Sequence, residues 1–144
     1  TWNPYISQIR QAFGKGYAFY SGDEFYVLSW NLVATEAFAS DTRRSSSLLR
    51  AFDRAREFME SSPEEAKILV SNALRVENRL LDPYWPDMEF DTTLDQSLIL
   101  AMEAQARWYA QKERYKGQAV PNFLDYLSLD PLTQVSPEKV GVIR

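Results

Sequence analysis

The sequence predicts an α/β chain, mostly helical, with one short β-hairpin or strand pair near its start. Two observations carry that class. Tyr17 to Tyr20 and Phe25 to Val33 are rich in aromatic and β-branched residues and flank the turn-prone Ser21-Gly22-Asp23-Glu24. The remainder repeatedly sets apolar residues at helical spacing. At 144 residues, 45% of them hydrophobic and 14% aromatic, the chain has the size and composition of one globular domain with a real core.

Each element has its own local signal. In Pro4 to Phe13, Tyr5, Ile6, Ile9, Ala12 and Phe13 fall on one helical face, with Pro4 suited to a first turn and Gly14 to a stop. A helix start follows near Glu36-Ala37-Phe38. From Ser47 to about Glu60, Leu48, Leu49, Phe52, Ala55, Phe58 and Met59 mark one face, and Asp53, Arg56, Glu57 and Glu60 the other. Ser62-Pro63-Glu64-Glu65 then reads as an N-cap, a first-position proline and the closing glutamate of a capping box. The helix it opens is expected to turn Ala66, Leu69, Val70, Ala73 and Leu74 inward.

Pro83 and Pro86 break Leu80 to Phe90 into loop or short turns. Thr92 or Thr93 can cap the longest helix, running through Leu94, Leu98, Ala101, Met102, Gln105, Trp108 and Tyr109 to Gly117. Phe123 to Leu127 is a short apolar helix candidate, and Ser136-Pro137-Glu138 is a further start signal.

Composition removes several chemistries. With neither cysteine nor histidine, the chain can hold no thiol nucleophile, thiolate zinc site, Ser-His-Asp triad or histidine-ligated metal. Sixteen basic against twenty acidic residues leave a net charge of -4, so there is no broad positive field for nucleic acid or anionic lipid, and a nucleic-acid partner is disfavoured. Gly14-Lys15-Gly16 follows a helix, where a dinucleotide loop must follow a strand, and is read as a stop and turn. Asp87-Met88-Glu89-Phe90-Asp91 opens like a calcium loop, but Thr92 stands where the glycine belongs and Leu98 where the closing glutamate belongs, so it is read as a solvated acidic loop. Glu103 and Arg107 are spaced as a surface ion pair. The aromatic clusters Trp2-Tyr5 and Tyr84-Trp85 read by themselves as packing residues. No catalytic residue, metal site or cofactor is expected.

Taken in order, several segments resemble the C-terminal portion of the solute-binding proteins for nitrate, sulfonates such as taurine, and thiamine-pyrimidine precursors. Trp2-Asn3-Pro4-Tyr5 resembles that family's Trp-x-Pro-Tyr/Phe segment, and Tyr26 to Glu36 is similar to its following strand. Leu48 to Phe58 with Ser62-Pro63-Glu64-Glu65-Ala66 looks like its helix and proline-glutamate cap. Gln105-Ala106-Arg107-Trp108, Asn122-Phe123-Leu124-Asp125-Tyr126, Asp130-Pro131-Leu132 and Val135-Ser136-Pro137-Glu138-Lys139-Val140 are similar to its terminal pattern.

The resemblance implies a fragment of an α/β, periplasmic-binding-protein-like type II receptor, with residues 1–34 as a lobe-crossover segment and 35–144 as the helical C-terminal part of the first lobe. It implies a small anionic or heterocyclic solute, docking onto an ABC permease in the membrane, and a periplasmic or other extracytoplasmic site of action with a signal peptide further upstream. Trp2, Asn3 and Tyr5 would line or border the ligand cleft. The same residues could serve a ligand-sensing domain of a membrane signalling protein, or a freestanding helical protein-interaction module. Without the family's other strands, the apolar faces from Leu48 to Tyr115 are expected to drive self-association.

Overall fold

The computed structural model describes residues 5–16, 18, 20 and 29–143, apart from the Glu113 side chain. Six α-helices occur among them: α1 (Tyr5–Phe13), α2 (Glu36–Ser40), α3 (Thr42–Ser61), α4 (Pro63–Leu74), α5 (Gln96–Ala110) and α6 (Asp130–Val135). Short 3₁₀ turns connect or follow several of them.

The expected α/β class is overturned. The described residues build no sheet, and their only strand-like pairing is an isolated parallel bridge between Leu94 and Val140. Ser29 to Val33 adopt neither helix nor strand and stand exposed, Val33 at 86%. Most of the expected hairpin, including Tyr17 and 21–28, lies outside the described residues. The physical reason is that an apolar, β-branched stretch becomes a strand only where another strand takes its backbone groups, whereas a helix satisfies its own. No second strand is offered among the described residues, so the helical signals alone are realised.

The chain divides into two compact units, residues 1–33 with 55–90, and residues 34–54 with 91–144. In the first, α1 ends at Gly14, whose φ of 57° is left-handed and whose N–H bonds the Arg10 carbonyl at 3.0 Å. Proline at its first turn starts α4, but Ser62 makes no side-chain capping bond, so the expected capping box is not formed. The face that α4 buries is Ala66, Lys67 and Ser71, while Leu69 and Leu74 are 60% and 54% exposed. Leu69 and Leu74 therefore do not turn inward as expected. Lys67 reaches that face because its ammonium bonds Asp82 and Glu64, each at 2.7 Å, and its aliphatic stem fills the space beneath them. Leu81, fully buried, and Ala66 are this unit's buried apolar side chains among the described residues.

In the second unit α3 begins earlier than its apolar stripe, because the Asp41 carboxylate accepts the Arg44 N–H at 3.1 Å and caps the first turn. Its buried residues are Ser45 and Ser46. They pack where Pro131 and Leu132 of α6 approach, with Ile99 of α5 and Leu129 completing the buried apolar set. The helix expected from Thr92 starts only at Gln96, since Leu94 is held by Val140's neighbours: its N–H bonds the Lys139 carbonyl at 3.0 Å and its carbonyl accepts the Gly141 N–H at 2.8 Å. At the other end α5 stops at Ala110, before a 3₁₀ turn at Glu113–Tyr115 and a left-handed Gly117. Phe123–Tyr126 and Pro137–Lys139 are also 3₁₀ turns.

Candidate functional site

Polar side chains on one face of α1 supply half of a small cavity in the first unit. Ser7, Arg10 and Gln11, spaced three and four residues apart, line one side. Arg79, Leu80 and Pro83 line the other. Pro83, which cannot continue a helix, and the 3₁₀ turn Asn78–Leu80 set the second wall. The space is about 220 Å³ and open to solvent.

The donors around it are of one kind. Arg10 and Arg79 carry permanently charged guanidinium groups, Ser7 a hydroxyl and Gln11 an amide, set against the apolar Leu80 and Pro83. Arg79 donates from Nε to Glu77 Oε2 at 2.6 Å, an exposed pair that restrains the fork where it lines the cavity. Beside it, the buried Asn78 Oδ1 has no hydrogen-bond donor among the described residues. Such an arrangement can hold an anion through charge-assisted hydrogen bonds.

A second hollow of about 500 Å³ lies at the corner between α2 and α3, lined by Phe38, Asp41, Arg43, Arg44 and Ser47. Its polar groups already satisfy one another: Asp41 pairs with Arg44 at 3.2 Å, and Ser47 Oγ donates to the Arg43 carbonyl at 2.8 Å.

Several carboxylates are paired with cations. Lys67 takes Glu64 and Asp82, Lys139 takes Asp91 at 2.7 Å and Asp53 at 3.3 Å, and Glu103 pairs with Arg107 at 2.6 Å, as their spacing suggests. These bonds raise the pKa of both lysines above the ordinary value, because the charged amine is what the carboxylates hold. Asp91, in the loop that opens like a calcium site, is thus a structural partner of Lys139, and no three acidic residues converge among the described residues.

Of the expected ligand-binding residues, Trp2 and Asn3 lie outside the described residues. Tyr5 opens α1, half exposed at 52%, and is not among the residues lining the cavity. The residues that do line it were not singled out from the sequence. Ser7, Arg10 and Gln11 read there as the polar side of an amphipathic helix, and only the fold brings Arg79 opposite them. No family model, curated protein or solved structure matches this chain.

Proposed function

We propose that this chain is part of a solute-binding receptor of an ABC importer, taking a small anionic solute and catalysing no reaction. The observation that best supports this reading is the cavity walled by Arg10, Arg79, Ser7 and Gln11, whose donors suit a sulfonate or nitrate and whose size excludes a large ligand. The resemblance of the helix and proline-glutamate segments to solute receptors points the same way, as does the absence of cysteine and histidine. An ABC permease as partner and an extracytoplasmic site of action belong to the same proposal. The cavity falls below the usual 300 to 1,000 Å³ of a ligand pocket, so only a small ion fits it.

Chemical-shift titration with methanesulfonate, nitrate and an uncharged aminopyrimidine tests the proposal. Saturable shifts at Ser7, Arg10, Gln11 and Arg79 are expected with the anions, and their loss in Arg10→Gln/Arg79→Gln. No response to either anion, or an equal response to the pyrimidine, would overturn it.

A second reading, a helical protein-interaction module, draws on a different observation. Ile68, Leu69 and Leu74 of α4 are each at least half exposed. A partner polypeptide would cover them; the anion titration separates the two readings, since a module without a solute site gives no saturable shifts at Ser7, Arg10, Gln11 and Arg79.

A further inference from the structure

Five side chains at the end of α5 touch in an unbroken row. Lys112 Nζ sits 4.0 Å above the Trp108 ring, Trp108 meets Tyr109 at 5.0 Å between centroids, Tyr109 meets Tyr115 at 5.6 Å, and the Arg114 guanidinium lies 5.5 Å from the Tyr115 ring. Cations thus close both ends of a row of three rings. Trp108 and Tyr109 are 53% and 51% exposed, so half of each ring faces solvent.

The charge of this segment opposes that of the chain. Between Arg107 and Gly117 four basic residues and one acidic residue give a local net charge of +3, in a chain whose net charge is -4. Arg107 is held by Glu103. Lys112 and Arg114, which lie against the rings, supply the positive charge there.

We propose that this row is a docking surface for an anionic membrane surface. Amphipathic rings flanked by lysine and arginine suit the headgroup layer, where ring bodies meet the acyl boundary and cations meet phosphates. Charge complementarity selects an anionic surface over a neutral one. Single-stranded nucleic acid fits less well, because bases stack on ring faces held in a common orientation, and here successive rings stand at 79° and 86° to each other. The docking is peripheral: no helix among the described residues is long and apolar enough to cross a membrane. It is independent of the solute proposal, since the row lies in the second unit and the cavity in the first.

Co-sedimentation of the full chain with phosphatidylglycerol-rich vesicles, against pure phosphatidylcholine vesicles, tests the proposal. Binding to the anionic vesicles is expected to weaken with added salt, and by about fivefold for each cation removed. Lys112→Glu/Arg114→Glu should abolish it, Trp108→Ser should weaken it several-fold, and Lys112→Arg/Arg114→Lys should retain it, with circular dichroism reporting the fold of each variant. Equal binding to both vesicle types, unchanged binding of the charge-reversed variant, or capture by polyglutamate without vesicle binding would overturn it.

Discussion

Ser46 Oγ donates to the Pro131 carbonyl at 3.2 Å, joining α3 to α6 across 85 residues of sequence. Ser46 is 1% exposed and also lies 3.3 Å from Gln134 Oε1, so a small polar side chain fixes how closely the two helices approach. Removing the hydroxyl in Ser46→Ala is expected to cost about 1 kcal/mol, and enlarging the side chain in Ser46→Leu about 1 to 3 kcal/mol. Urea unfolding measures both. A loss confined to the larger substitution would assign the role to size alone.

Stability is expected to fall at alkaline pH. The hydrogen bonds that Lys67 donates to Asp82 and Glu64 raise its pKa, and those that Lys139 donates to Asp91 and Asp53 raise that of Lys139. A raised folded pKa means the contribution is complete below the unfolded value, about 10.4, and disappears as pH climbs through the folded one. Burial raises the Tyr84 pKa and acts in the same direction. In a Tyr84→Phe background, the unfolding midpoint should stay level up to about pH 10 and then drop, and Lys67→Met/Lys139→Met should flatten that drop.

Arg75 ends α4 at φ 55° and ψ 43°, in a Schellman closure where its N–H bonds the Asn72 carbonyl at 3.3 Å and the Val76 N–H bonds the Ser71 carbonyl at 3.0 Å. A side chain there carries strain that glycine lacks. Arg75→Gly is expected to stabilise the chain by about 0.5 to 1 kcal/mol, read as a rise in thermal midpoint. A fall would show that the arginine side chain contributes more than its backbone costs.

The exposed apolar face of α4 should make the chain associate. Static light scattering is expected to show mass rising with concentration, and Ile68→Glu/Leu69→Glu to return it toward monomer with a stability change within about 0.5 kcal/mol. Unchanged association in that variant would place the contact elsewhere.

What could be read beforehand follows the range of the forces involved. Gly14 as a stop, proline at the head of α4 and the Glu103–Arg107 pair depend on residues a few positions apart, and the sequence displays them. The Asp41 cap was missed and the helix expected only from Ser47, although the capping carboxylate stands one residue before the helix. The late start of α5 was not visible in the sequence, because Leu94 is taken by residues 139 to 141. Nor was the buried face of α3 and α4, where serines and a paired lysine occupy positions that a hydrophobic pattern assigns to leucines. The cavity needed Arg10 and Arg79 on one wall each, a pairing that no spacing announces.

The Leu94–Val140 bridge sets an order of events. It closes a loop of some forty-five residues for two backbone hydrogen bonds and the contact of Ile143 N–H with Gln96 Oε1 at 3.2 Å. The entropy of that closure, about 3 kcal/mol, exceeds what such bonds return individually, so the bridge is expected to form only after the flanking elements have brought its ends together. During refolding, the amides of Leu94 and Gly141 should acquire protection from hydrogen exchange together and late. In the native state they should lose it together, making the pair a reporter of the first opening of the second unit.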